Sequence, residues 1–225
     1  MDKEHHRPKG HHHPVPMSRV HDVEEFPFPP APWIMKGQLW MGLFKTDTPV
    51  QIPAVLKHLV GPRSLLVSVV RYREGTLCYD ELILGTLARR GLRVGIHTDY
   101  IWVTDLAALW GGRRIWGVPK NLAEFTWKDS MVCITDKEGP IATIKLDMSP
   151  AKLPWIWTPT PTIGQLENGN WLSGVGGLSM RLGRADMQIE EWGPRFGYHP
   201  ENKASLSFGG KPFRVHLPAA KVIGP

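Results

Sequence analysis

Cysteine occurs only twice in 225 residues, at Cys78 and Cys133. That is too few for a disulfide framework, so a reducing compartment is expected. No apolar run approaches the roughly 20 residues that a helix needs to cross a bilayer. The N-terminal stretch has no hydrophobic core to act as a secretion signal. Together these predict a cytoplasmic protein with no membrane partner. The formal net charge is +6, but the basic residues are scattered. Nucleic-acid recognition wants a dense Lys/Arg patch interleaved with aromatics, so no nucleic-acid partner is expected. Also missing are a Walker loop, a Gly-x-Ser-x-Gly elbow, a His-Glu-x-x-His helix and paired Cys-x-x-Cys motifs. The histidines beyond the first segment, His58, His97, His199 and His216, are far apart in sequence, and no metal is expected.

In abundance are 23 glycines, 21 prolines and 10 tryptophans, which predict many turns, few long helices and large buried rings. Residues Met1 to Glu25 carry six of the ten histidines with several prolines, a composition that predicts a disordered tail. From residue 26 to 225 a single domain is expected. Phe26 to Trp33 reads as an extended Pro-rich arm with buried aromatics. Strands are predicted over Gln38–Phe44, Ser64–Tyr72, Cys78–Ala88, Leu92–Val103, Leu122–Trp127, Met131–Thr135, Ile141–Leu146 and Phe213–Leu217. A helix is predicted over Val50–Val60, after Thr46-Asp47-Thr48-Pro49, and a helical turn capped by Asp105 over Asp105–Trp110. Ser149–Gly176 reads as loop with bulky rings, of the kind that covers an opening or an oligomer interface, and Leu178–Trp192 favours strand. In Leu92–Val103 the alternation puts Leu92, Val94, Ile96, Tyr100 and Trp102 on one face, with Arg93, His97 and Asp99 on the other. The count of short strands predicts a mainly β (α+β) fold, one antiparallel domain curled or closed, with minor helices.

The stretch from Trp110 to Glu124, Trp-Gly-Gly-Arg-Arg-Ile-Trp-Gly-Val-Pro-Lys-Asn-Leu-Ala-Glu, stands out. Its glycines and Pro119 disfavour regular structure, while Trp116 and Leu122 want burial, so a packed loop leading into a strand is expected. By composition it reads as readily as a surface loop with solvated cations. Burial would favour the neutral form of the Lys120 amine, and a neutral amine attacks carbonyls. Glu81 shares a strand face with Ile83 and Leu87. An acid there is either exposed at a sheet edge or buried, and burial favours its protonated form. Cys78, with no nearby histidine, reads as a small buried residue.

Tyr79-Asp80-Glu81-Leu82-Ile83-Leu84, followed by Gly112-Arg113-Arg114-Ile115-Trp116-Gly117-Val118-Pro119-Lys120-Asn121-Leu122-Ala123, resembles the acetoacetate decarboxylase-like family. That family shows a Tyr-x-Glu strand and then a Gly-Arg-Glu-x-Trp-Gly-Pro-Lys-Lys-like sequence. The match runs from about Ser64 to Trp127. The resemblance implies a cone-like β-barrel with a pocket at its wide end, commonly in a homo-oligomer. It implies catalytic roles for Lys120, at the Schiff-base position, and for Glu81, at the position of a pocket glutamate. Arg113, Trp116, Tyr79 and Asn121 would be substrate-binding. Acetoacetate decarboxylase is the standing example of a lysine activated by desolvation or a neighbouring cation. Asn121 departs from the pattern where the decarboxylase has a second lysine, and Arg114 departs where it has an acid. No second glutamate is placed near Val67-Ser68-Val69, and no arginine near Lys36-Gly37.

The function this implies is a lyase acting on a small-molecule carbonyl substrate, a β-keto acid or relative, by decarboxylation or by aldol and dehydration chemistry, with no cofactor. The tryptophans suggest a substrate larger and more apolar than acetoacetate. Two alternatives stand beside it. One is a non-covalent cyclase or isomerase of a polyketide- or terpenoid-like substrate in secondary metabolism; the other is a non-catalytic small-molecule binding barrel.

Overall fold

The computed structural model describes residues 24–149 and 154–225; most of the expected N-terminal tail lies outside them. In chain order the strands are β1 (Trp33–Lys45), β2 (Lys57–His58), β3 (Ser64–Gly75), β4 (Asp80–Arg90) and β5 (Arg93–Val103). Helix α1 (Leu106–Gly111) and a π-helical turn (Gly112–Trp116) follow. Then come β6 (Lys120–Leu122), β7 (Glu124–Lys128), β8 (Met131–Asp136) and β9 (Gly139–Met148). The last four are β10 (Trp155–Gln165), β11 (Trp171–Trp192), β12 (Leu206–Leu217) and β13 (Lys221–Gly224).

All belong to one sheet, part of which closes on itself. Strands β5, β4, β3, β1, β12, β11 and β10 pair in that order, and β10 pairs back to β5. The second half of the long β11 leaves this ring and continues into β9, β8 and β7. The fold is therefore mainly β and barrel-like, as expected, but not purely antiparallel, because β10 and β6 each run parallel to β5.

Two main cores follow. One, inside the ring, contains Trp33, Met35, Leu39, Val70, Tyr72, Tyr79, Ile101, Met180 and Phe213. The other lies between the ring and the β7–β8–β9 extension, with Trp40, Phe44, Val67, Leu82, Leu84, Trp102, Ile134 and Ile144. Strands β3 and β4 are thus buried on both faces, which is why they read as nearly continuous apolar runs.

Three expectations fail for identifiable reasons. Val50–Val60 is not a helix: Pro53 interrupts it, Val55, Leu59 and Val60 are exposed, and Val50 N–H donates to the Pro62 carbonyl. The Asp47 carboxylate instead accepts from the backbone of Thr48 and His199. Ser149–Gly176 is largely the β10–β11 hairpin. Pro159 and Pro161 fit there because β10 meets β5 only at Thr162 and Ile163, which leaves the rest of that edge free of ladder bonds. The even alternation of β5 breaks at a bulge: Leu84 faces Tyr100 but Gly85 faces Thr98, so the extra residue is Asp99. Ile96 consequently lines the ring interior while Tyr100 and Trp102 pack in the other core, and His97 and Asp99 are buried.

Candidate active site

The Trp110–Glu124 stretch is more regular than its composition predicts. Asp105 caps α1 by accepting from Ala108 N–H at 2.7 Å, and the chain continues through the wider π turn. Gly117 ends it in the left-handed region, at φ 62°. The neighbouring glycines make room. A Cβ on Gly111 would lie 2.4 Å from the Trp33 indole, and one on Gly112 would lie 2.5 Å from Cδ of Lys120. The lysine stem thus lies across the helix at the one residue type that admits it.

Beyond the turn, β6 docks on β5 with Lys120 opposite Ile101. Ile101 in turn faces Ile83 of β4, so Lys120 and the Glu81 strand share the ring interior. At the start of β4 the strand period sends Asp80 outward, to Arg73 at 2.6 Å and the Trp127 indole at 2.8 Å. Tyr79 and Glu81 are sent inward.

There the Lys120 amine donates to Glu81 Oε1 at 2.7 Å and to the Tyr79 hydroxyl at 3.3 Å. Tyr72 OH donates to the other Glu81 oxygen at 3.2 Å. Lys120 is 5% exposed and Glu81 3%, which decides against the surface-loop and sheet-edge readings. Burial first, and then the Glu81 charge, push both tyrosine hydroxyls well above their usual range, so they remain hydrogen-bond donors. Tyr72 was not singled out from sequence. It enters because the β3–β4 turn ties its N–H to the Tyr79 carbonyl.

The other expected site residues do not meet the amine. Buried Arg113 donates from Nε to the Lys120 carbonyl at 2.8 Å, and Nη2 reaches the same oxygen and Asn121 Oδ1. Burial lowers the guanidinium's pKa. Asn121, opposite Trp102, also donates to the Pro119 carbonyl. Trp116 packs edge-on to Trp33 and donates to the Pro218 carbonyl. Arg114 pairs with Glu25 outside. Arg113 and Asn121 thus brace the β6 backbone and its entry, while Trp116 ties the π turn to the segment after β12. Cys78 and Cys133 are both free and exposed, so Cys78 is not the buried residue expected. Among the described residues no cluster of three His, Cys, Asp or Glu is placed to hold a metal.

A cavity of about 800 Å³ opens into the ring. Met41, Leu178, Met180, Leu182 and Phe208 belong both to its wall and to the core around Tyr72 and Tyr79. Lys120 and Glu81 are not in its wall, since Ile83 stands in the row between them and the mouth residue Leu87.

The profile of the family described as acetoacetate decarboxylase (ADC) matches residues 23–152. The chain belongs to the acetoacetate decarboxylase family. No curated protein matches by sequence. Among solved structures, the chain is similar to the enduracididine biosynthesis enzyme MppR complexed with pyruvate. That match has 13% identity and a TM-score of 0.60 over 87% of this chain and 91% of that one. An acetoacetate decarboxylase from Legionella pneumophila matches at 16% identity and a TM-score of 0.59 over 90% of each chain. An acetoacetate decarboxylase-like enzyme from Sphingomonas wittichii matches at 13% and 0.55, over 90% of this chain and 94% of that one. These likenesses establish the shared fold. MppR has also been solved with the condensation product of pyruvate and imidazole 4-carboxaldehyde.

Proposed function

We propose that the protein is a lyase in which Lys120 forms a Schiff base with a carbonyl substrate and Glu81 carries the protons. The observation that carries this reading is the buried 2.7 Å contact between Lys120 and Glu81 inside the ring. A proton passing from the amine to Glu81 frees the nitrogen lone pair for attack on the carbonyl carbon. The carbinolamine loses water to give an iminium. From a β-keto acid, the bond to the carboxylate then breaks, its electrons move into the iminium, carbon dioxide leaves and an enamine remains. Glu81 returns a proton to the enamine carbon, and hydrolysis releases the ketone and the free lysine. The same enamine can instead attack an aldehyde and lose water.

Among the described residues no second cation stands at the amine. The inward positions of β3 near Glu81 are Ser68 and Val70, and Lys36 of β1 turns outward to Glu74. Aldol and dehydration outcomes therefore fit the site as well as loss of carbon dioxide. The pyruvate complex of MppR supports a small carbonyl ligand for a site of this fold.

A second reading is favoured by the same contact. An amine donating to a carboxylate is an electrophilic anchor, so Lys120, Tyr79 and Tyr72 can orient a carbonyl for cyclisation or isomerisation without a covalent bond. Borohydride trapping with peptide mapping separates the two: an adduct on Lys120, absent in Lys120→Gln, supports the Schiff base. Turnover that persists in Lys120→Gln with no adduct supports the non-covalent site. Carbon dioxide release from a panel of β-keto acids identifies decarboxylation. An unchanged ligand recovered after long incubation would favour a binding barrel. We also propose a homo-oligomer, with exposed Trp155 and Trp157 on the outside of β10.

A further inference from the structure

Acetoacetate would fill a small part of an 800 Å³ cavity, a volume within the range that accommodates drug-sized ligands. The wall is almost entirely apolar. Met41, Leu87, Ile96, Leu178, Leu182 and Phe208 come from five strands of the ring, β1, β4, β5, β11 and β12, and Arg184, exposed at the mouth, is the charged residue among the described ones lining it. None of the tryptophans lines it, so size and apolarity come from aliphatic, methionine and phenylalanine side chains rather than from the rings the sequence advertises.

The register shows how this space relates to the lysine. Leu87 and Ile96 face each other at the mouth, and four residues deeper Ile83 faces Ile101, which faces Lys120. Four strand residues span about 13 Å, roughly the length of a ten-carbon chain. Ile83 is only half-buried although its neighbours Leu82 and Leu84 are fully buried, and it stands in the row between the cavity wall at Leu87 and the lysine end of the ring. A ligand whose carbonyl meets Lys120 would therefore direct its remaining substituent along the ring axis into apolar surroundings.

We propose that the substrate is a carbonyl compound bearing a long alkyl or comparably bulky apolar substituent, which this cavity holds while the carbonyl meets Lys120. The proposal rests on the reading that the Lys120 end of the ring is where the chemistry occurs, whether covalent or not. Charge on the substrate is confined to its two ends, at the lysine or beside Arg184, because the wall between them supplies no counter-ion.

The test is a series of methyl ketones from 2-butanone to 2-tridecanone, with affinity measured by calorimetry on the full chain. Each added methylene should tighten binding roughly fourfold, the equivalent of about 0.8 kcal/mol for a buried methylene, until the chain reaches the mouth. Thr158→Trp and Leu182→Trp, each checked for folding by thermal melting, should collapse the ratio of long-chain to short-chain affinity. Affinity independent of chain length in the parent, or an intact ratio in both folded variants, would overturn the proposal. Borohydride trapping in the same samples separates it from the Schiff base. Chain-length-dependent binding without a Lys120 adduct keeps the cavity and removes the imine. An adduct from 2-butanone with no gain along the series does the reverse.

Discussion

Asp99 and His97 offer a test of the burial that the β5 bulge creates. His97 Nε2 lies 3.6 Å from Asp99 Oδ1, and both side chains are buried. Desolvation raises the Asp99 carboxyl to about 8 and lowers the His97 imidazole to about 4. The groups facing them are Tyr100 and Tyr198, whose hydroxyls burial first and then the Asp99 charge push upward, and His58. Between about pH 4 and 8 the folded pair holds one proton, whichever residue carries it. The unfolded pair, with pKa values near 3.8 and 6.5, holds one proton up to about 6.5 and none above it. The contribution to stability is therefore flat from about pH 4 to 6.5 and then falls at about 1.36 kcal/mol per pH unit. The loss reaches about 2 kcal/mol by pH 8, or roughly 4–8 °C in Tm for a chain of this length.

Asp99→Asn leaves only the histidine. Its neutral folded form makes the variant's stability rise from about pH 4 to 6.5 and stay level above. Urea unfolding at half-unit pH steps, parent against variant, reads the difference directly. Curves that run parallel between pH 6.5 and 8 would mean that Asp99 is already ionised in the folded protein. The burial argument would then be wrong.

Glu81→Gln strands the Lys120 ammonium in the interior and should cost about 3–5 kcal/mol; Glu81→Gln with Lys120→Met should cost much less than the sum of the single changes, as a double-mutant cycle on urea midpoints would show. Gly112→Ala places a Cβ 2.5 Å from the Lys120 stem; about 1–3 kcal/mol of stability should be lost, and trapping at Lys120 should fall more than in a surface variant of equal stability. Asn121→Lys, which would mimic the dilysine pattern by sequence, puts its cation against Arg113 rather than the amine. It should lose about 1–2 kcal/mol and give no faster trapping. Trp155→Ser with Trp157→Ser should shift sedimentation towards the monomer if the exposed face of β10 joins subunits.

Local signals carried the sequence reading where a residue's neighbours along the chain decide its state. The β-branched run of β3, the strand β4, the Asp105 cap and the shared strand face of Glu81 with Ile83 were all legible, because strand alternation and capping act over a few residues; that this face turns inward was not. The family motifs singled out Lys120 and Glu81. Their 2.7 Å contact and burial came from the β5–β6 and β4–β5 registers. Other features were settled between distant segments. Tyr72 joins Glu81 only when the turn closes, and the Asp99 bulge is set by pairing with β4. Val50–Val60 carries helical spacing, but Pro53 interrupts it, and Val50 and Leu56 are buried in two separate clusters instead of along one helical face. The Trp155–Gln165 stretch looks like loop until it meets β11. The glycines of the Trp110–Glu124 stretch look like breakers, yet Gly111 and Gly112 are there because an indole and a lysine stem pass within van der Waals distance. A one-dimensional pattern records which residues favour burial and turns; which side chain occupies the space beside a missing Cβ is decided when the ring closes.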